Sequence, residues 1–282
     1  MNFSKFCNGC KNSNLIDINF YNLQICNNCL LISRKYNQKL ISSSKKTFQK
    51  NIKYQWSLKD FEKRSKKNYY FFKQILKFTN FKKKDEILDF GSGYGSLLYI
   101  LKKKKYKAVG LEPSEKNYKI SKKKNLKVIN RFLKKKTFKA NRFKLIISLY
   151  VFTYIYDIAE KFEIFKKILK KNGYLLIHVH QFKFSSSFRK TDKIIHQTVV
   201  NQFSNQSLIN IFNFHNFEIV FLNSKIDGTT IIAKKSNNKN FYKRVGNLKF
   251  EVLYFKYLAR FFGAIMYIFL YIKIKIRNIF NS

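Results

Sequence analysis

The chain has 282 residues, 45% of them hydrophobic and 18% aromatic, which permits a sizeable core and excludes wholesale disorder. Its formal net charge is +43, from 58 Lys+Arg against 15 Asp+Glu, a field that attracts nucleic acid, anionic lipid and anionic small molecules. The same Lys-, Asn-, Ile-, Phe- and Tyr-rich composition with a single Pro follows from A/T-rich codons, and the basic residues are spread along most of the chain, so charge alone names no partner.

Residues 1–35 hold all four cysteines, Cys7, Cys10, Cys26 and Cys29, in the pattern C-x2-C-x15-C-x2-C. No apolar run precedes them, so no secretory signal and a cytoplasmic setting are expected, where such a grouping favours metal over disulfides. Two cysteine pairs at this spacing can close a tetrahedral all-thiolate zinc site with no open position, hence a structural metal. Such a ribbon has little core of its own, and metal binding worth about 10–16 kcal/mol would fold it. Leu15–Phe20 and Tyr21–Ile25 read as its two short strands. It is expected to behave as a separate module, preceding a polar linker at residues 36–56.

Residues 57–79 have helical spacing, with Leu58, Phe61, Tyr69, Phe72, Ile75, Leu76 and Phe78 recurring among basic residues. Short apolar runs then alternate with helical stretches. Glu86–Phe90, Ala108–Leu111, Leu126–Ile129, Leu145–Leu149 and Tyr174–Val179 read as buried strands. Gly95–Lys103, Ser114–Lys123 and Asp157–Lys170 read as helices, the last stopping at Asn172-Gly173. This alternation predicts a parallel sheet with helices on both faces. After a polar loop around Ser185-Ser186-Ser187 come a helix at Asn205–Asn213 and strands Phe217–Leu222 and Thr229–Ala233, with Gly228 at the turn between them.

The segment Asp89-Phe90-Gly91-Ser92-Gly93-Tyr94-Gly95 joins a strand to a helix. Its glycines allow a sharp turn and close approach of a ligand, and the following helix offers free N–H groups. A dinucleotide site wants G-x-G-x-x-G/A, but Ser96 stands at its last position, and Asp89 would sit badly against a pyrophosphate. A carboxylate there suits a cationic ligand. Glu112 ends the next strand, where an acid can accept from both hydroxyls of a ribose.

These residues, with Gly110-Leu111-Glu112-Pro113-Ser114, resemble the first two motifs of the class I S-adenosylmethionine (SAM)-dependent methyltransferase family. Phe143–Ile155 is similar to the family's fourth strand and the loop bordering the methyl group. Lys144 replaces a common Asp there, and Thr153-Tyr154 a common Glu-His. The resemblance implies an α/β, Rossmann-like, mostly parallel seven-stranded sheet with helices on both faces, over residues 57–240. It implies SAM bound by Asp89, Gly91, Gly93, Gly95, Glu112, Pro113 and Ser148.

A four-cysteine ribbon ahead of such a domain resembles sugar C-methyltransferases and their relatives, implying a sugar-nucleotide or other glycan or small-molecule acceptor. Thr191–Gln197, then Phe203-Ser204, resembles that family's substrate loop. His196 keeps its first histidine, while Gln197 and Thr198 replace a Glu-His. His196 and Tyr154 are the candidate acid/base residues; His180, a third catalytic candidate, and Gln181 are expected to contact substrate, with His178 as readily a packed core histidine. One alternative is an RNA methyltransferase using the ribbon and basic surface, although Ser148-Leu149-Tyr150-Val151 carries no Asn-Pro-Pro-Tyr-like clamp. Another is a non-catalytic SAM-binding protein. Residues 241–282 are expected to form a basic, apolar C-terminal helix, in which the apolar run Phe261–Ile272 is flanked by Lys and Arg. It is short for a span and suited either to a bilayer interface or to packing on the domain.

Overall fold

A computed structural model describes residues 5–18, 22–36, 39, 41–43, 46, 58–180, 199–225 and 228–236. Among them, apolar runs too short for helices form a seven-stranded sheet. In chain order its strands are β4 (Glu86–Phe90), β5 (Lys107–Leu111), β6 (Val128–Ile129), β7 (Phe143–Leu149), β8 (Leu169–Val179), β10 (Phe217–Lys225) and β11 (Gly228–Lys235). Strands β1 (Leu15–Asp17), β2 (Leu23–Cys26), β3 (Ile32–Arg34) and β9 (Asn201–Gln202) form a second, four-stranded sheet.

The large sheet runs β10-β11-β8-β7-β4-β5-β6. Its five strands from β8 to β6 are parallel, while β11 pairs antiparallel with β8 and β10 with β11. Neighbouring residues along each central strand bury on opposite faces, as period-two geometry requires. Ile87, Leu145, Ile147 and Leu176 pack with Phe71, Phe72 and Ile75 of α1 (Leu58–Phe78) and Leu97 and Leu101 of α2 (Ser96–Lys103). Leu88, Ile146, Leu175 and Ile177 pack with Phe162 and Phe165 of α4 (Ile158–Ile168) and Ile211 and Phe212 of α5 (Asn205–Phe214). A further helix, α3 (Glu115–Lys123), lies between β5 and β6 in the chain. The expected Rossmann-like architecture with both faces covered is therefore what forms.

Several details differ from the sequence reading. The helix expected to run to Lys170 ends at Ile168, because Leu169 turns extended, is fully buried and pairs with Phe143. Asn172, in a left-handed conformation (φ 56°), then serves a register shift inside β8 rather than a helix cap. The ribbon has a third strand, Ile32–Arg34, and a fourth that arrives from residues 201–202 far down the chain.

The ribbon also shares its core with the large domain. Cys7, Cys10, Cys26, Cys29 and Leu31 belong to the same buried cluster as Phe162, Leu208, Ile211 and Phe212. The His215 ring donates from Nε2 to the Gly9 carbonyl at 2.8 Å and stacks on Phe162. Within the stretch read as linker, residues 39, 41–43 and 46 are helical, and Ile41 packs with Tyr36, Tyr156 and Val200. The module behaves in packing as part of the domain rather than as an appendage.

Candidate functional site

The chain order of the sheet reverses between β4 and β7, since β5 and β6 lie to one side of β4 and β7 and β8 to the other. The C-terminal ends of strands at such a switch point make the crevice where α/β proteins bind ligands. The glycine loop sits at the end of β4. Gly91, Gly93 and Gly95 all take left-handed backbone conformations, φ 74°, 53° and 78°. The Gly91 and Ser92 amides donate to the Leu111 carbonyl at 2.8 and 3.2 Å, folding the loop back on the end of β5. A Cβ on Gly91 would lie 2.3 Å from the Val151 side chain, and one on Gly95 2.4 Å from Leu126, so both positions are closed to any side chain. A Cβ on Gly93 would meet no heavy atom of the described residues within 4 Å, so there the loop faces open space that a ligand can fill.

Glu112, 6% exposed at the end of β5, is held in this loop. Its Oε2 accepts from the Gly93 amide at 2.8 Å, and its Oε1 from the Ser114 amide at 2.9 Å and Asn117 Nδ2 at 3.3 Å. Burial raises its pKa, and these three donors work against that shift. Each carboxylate oxygen can accept more than one bond, so a ribose diol remains within its capacity.

Asp89 is 3% exposed, and its Oδ2 has no hydrogen-bond partner among the described residues. Burial, and secondarily the Glu112 charge, push its pKa up to about 7. A buried carboxylate oxygen without a partner among the described residues, beside a glycine loop, is an unfavourable arrangement that a cationic group would relieve. The Ser92 and Ser148 hydroxyls and Asn117 Oδ1 also lack partners among the described residues. Pro113 is half-buried between Glu112 and Ser114, and the Ser114 hydroxyl caps α3. Open space at Gly93, an ionisable acid at Asp89 and an acceptor at Glu112 fit a ligand carrying a ribose and a positive charge, as SAM does. When bound, SAM supplies an electrophilic methyl group on a sulfonium.

The candidate acid/base residues scatter. His196 lies outside the described residues, as do Gln181, the substrate-loop stretch around His196, Ser185–Ser187 and the tail. Tyr154 is half-buried in a 3-10 turn, Phe152–Tyr154, after β7. His180 is exposed just past β8, its ring 4.6 Å from that of Tyr150. His178 is 1% exposed, bonded through Nδ1 to the Thr230 hydroxyl at 2.9 Å and packed on Phe71, so it is a core histidine. Sequence reading passed over Tyr150, whose position at the end of β7 was the available signal.

The four cysteine sulfurs lie within 4.8 Å of one another, all buried and none in a disulfide. Backbone amides donate to them, Gly9 to Cys7 Sγ and Asn28 to Cys26 Sγ, both at 3.3 Å. The crowded thiols share protons, so Cys10 and Cys26 fall below, and Cys7 and Cys29 rise above, the ordinary thiol range. Converging sulfurs with amide donors are a set that could hold a metal ion with tetrahedral thiolate coordination.

A family model described as a methyltransferase domain matches residues 62–222. No curated protein matches the sequence. Among solved structures, the chain is similar to the Haloferax volcanii complex of the Trm112 methyltransferase activator with its proposed methyltransferase. The identity is 14% and the TM-score 0.53, covering 63% of this chain and 94% of the other. It is similar to the PH0226 protein of Pyrococcus horikoshii OT3, at 13% identity and TM-score 0.53, covering 67% and 95%. It also resembles a geranyl diphosphate methyltransferase solved with GPP and sinefungin, at 10% identity and TM-score 0.50, covering 60% and 77%. At these identities the likeness is one of fold.

Proposed function

Because this chain belongs to the methyltransferase-domain family and is a SAM-dependent methyltransferase, we propose that it methylates a sugar nucleotide or another glycan or small-molecule precursor. The observation that carries the donor half is the buried Asp89 Oδ2, without a hydrogen-bond partner among the described residues, beside a glycine loop that leaves open space at Gly93. The acceptor half rests on the four-cysteine ribbon, an arrangement that resembles sugar C-methyltransferases.

In this reading Asp89 balances the donor's positive charge, and Glu112 accepts from the ribose hydroxyls while fixing the loop through Gly93. Gly91 and Gly95 keep the loop against Val151 and Leu126, and Pro113 and Ser148 border the donor. Methyl transfer asks the protein mainly for in-line alignment and exclusion of water. Deprotonation of the acceptor falls to His196, Tyr154 or His180. Zinc held by Cys7, Cys10, Cys26 and Cys29 is structural. Among the described residues no helix is long and apolar enough to cross a membrane. The tail beyond residue 240 is proposed to hold the enzyme at an anionic membrane face.

A transfer assay with methyl-labelled SAM against separated sugar-nucleotide, lipid and RNA fractions tests this. Label is expected in the sugar-nucleotide or lipid-linked glycan fraction, and label confined to RNA would overturn it. Removal of residues 250–282 is expected to release the enzyme from membrane fractions, and unchanged fractionation would remove the tether.

A further inference from the structure

Tyr150 carries two unrepaid costs at once. Its backbone is left-handed, φ 65°, a conformation that bulky L-residues rarely adopt. Its hydroxyl is buried, with no hydrogen-bond partner among the described residues. Strain and an orphaned polar atom on one residue at the mouth of a site are the pattern of a group waiting for a ligand.

The surroundings fix where that group sits. Its amide donates to the His178 carbonyl at 2.7 Å, holding it at the ends of β7 and β8. The next residue, Val151, packs against Gly91 of the glycine loop. The His178 and His180 rings flank Tyr150, each 4.6 Å away. Over it lies α1, whose residues 64, 67 and 71 share one face by helical spacing. Phe71 meets the Tyr150 ring edge-on. The Arg64 guanidinium lies 5.7 Å, and the Lys67 ammonium 5.6 Å, from the Tyr150 ring centre. In so basic a chain a nearby lysine means little, but two cations over one strained tyrosine whose hydroxyl has no partner among the described residues mean more.

We propose that Arg64, Lys67 and the Tyr150 hydroxyl form the anion subsite of the acceptor, which is therefore a phosphate ester or a diphosphate. The guanidinium and ammonium take the phosphoryl charge. The phenol donates to a phosphoryl oxygen and so satisfies its own lone hydroxyl. The inference rests on the methyltransferase reading of the neighbouring loop and adds the charge of the acceptor to it.

The test is calorimetric titration of the full chain with inorganic pyrophosphate, in the presence of S-adenosylhomocysteine at about 150 mM salt. Saturable one-site binding is expected for the wild type. The double variant Arg64→Gln/Lys67→Gln should bind at least about tenfold more weakly, and Tyr150→Phe about fivefold more weakly. Tyr150→Phe should melt no lower than wild type, because it removes a hydroxyl that has no partner. A charge-matched pair on α3, Lys122→Gln/Lys123→Gln, should bind as the wild type does. Absence of saturable binding, equal affinity in the subsite variants, or an equal loss in the α3 pair overturns the proposal. Failure of S-adenosylhomocysteine to bind would overturn the donor reading and this proposal with it. Failure of pyrophosphate while S-adenosylhomocysteine still binds overturns the proposal alone.

Discussion

Asn8 and Asn201 share a buried amide–amide hydrogen bond, Asn8 Nδ2 donating to Asn201 Oδ1 at 2.7 Å. Asn8 stands between the first two cysteines, and Asn201 in β9. Together they hold the loop that follows β7. Asn8 Nδ2 also donates to the Ile155 carbonyl, and Asn201 Nδ2 to the carbonyls of Phe152 and Ile155. The amides of Ile158 and Ala159 donate to the Asn8 side-chain and main-chain oxygens, each at 3.0 Å. The first turn of α4 is thus capped from the cysteine knuckle, while Asp157 at its own N-cap position turns to Lys161.

Asn8→Ala removes the side-chain half of that cap, the bond from the Ile158 amide, and strands several buried polar groups at once. A loss of about 2–4 kcal/mol of stability is expected from such a network. Chemical denaturation measures it, and a loss below about 0.5 kcal/mol would mean that the network contributes little.

Metal removal should be felt beyond the ribbon. Because the cysteines share a core with Phe162, Ile211 and Phe212, Cys7→Ser is expected to abolish binding of one zinc per chain. It should also lower the melting temperature of the whole chain in a single transition. Two separate transitions, with the SAM-binding one unmoved, would show the ribbon to be independent.

Glycine substitutions should separate packing from ligand space. Gly91→Ala places a methyl against Val151 as well as straining a left-handed backbone, so it should cost stability by more than about 1 kcal/mol beyond Gly93→Ala. Gly93→Ala strains only the backbone and intrudes on the open side. Its main effect should be weakened SAM affinity, by about tenfold or more. Thermal melts and SAM titrations of the two variants read this directly.

Asp89 predicts opposite pH trends for stability and binding. Its folded pKa of about 7 lies above its ordinary 3.8. Between those values the folded chain holds a proton that the unfolded chain lacks. Its contribution to stability is therefore fully present below 3.8 and lost as pH rises through about 7. Affinity for cationic SAM should instead rise from about pH 6 to about pH 7.5 as the carboxylate ionises. Asp89→Asn should flatten that dependence, and a wild-type affinity independent of pH would rule Asp89 out as the counter-charge.

The parts legible in the sequence were those governed by local pattern. Ile87/Leu88 and Leu145/Ile146/Ile147 advertise a strand buried on both faces, and Gly91, Gly93 and Gly95 advertise a turn. Tertiary partners decided what was missed. Leu169 left its helix to pair with Phe143. The three residues Ile32–Arg34 are too few to show alternation, and their partner comes from residues 201–202. Nothing local marks Asn8 as the cap of a helix that begins at Ile158, or Tyr150 as left-handed. Such features exist only once distant segments have met.

The pairing of Ile32 and Ser33 with Gln202 and Asn201 also sets an order of events during synthesis. The cysteines leave the ribosome well before residues 201–202, so the sheet beside them cannot be finished until that later segment has been made. At about 5–20 residues per second that is a wait of roughly 10–30 s, during which β3 presents an unpaired edge. Early metal capture would shorten the exposure of the thiols but not of that edge. The ribbon, translated long before β9, must wait for that strand to reach its native form.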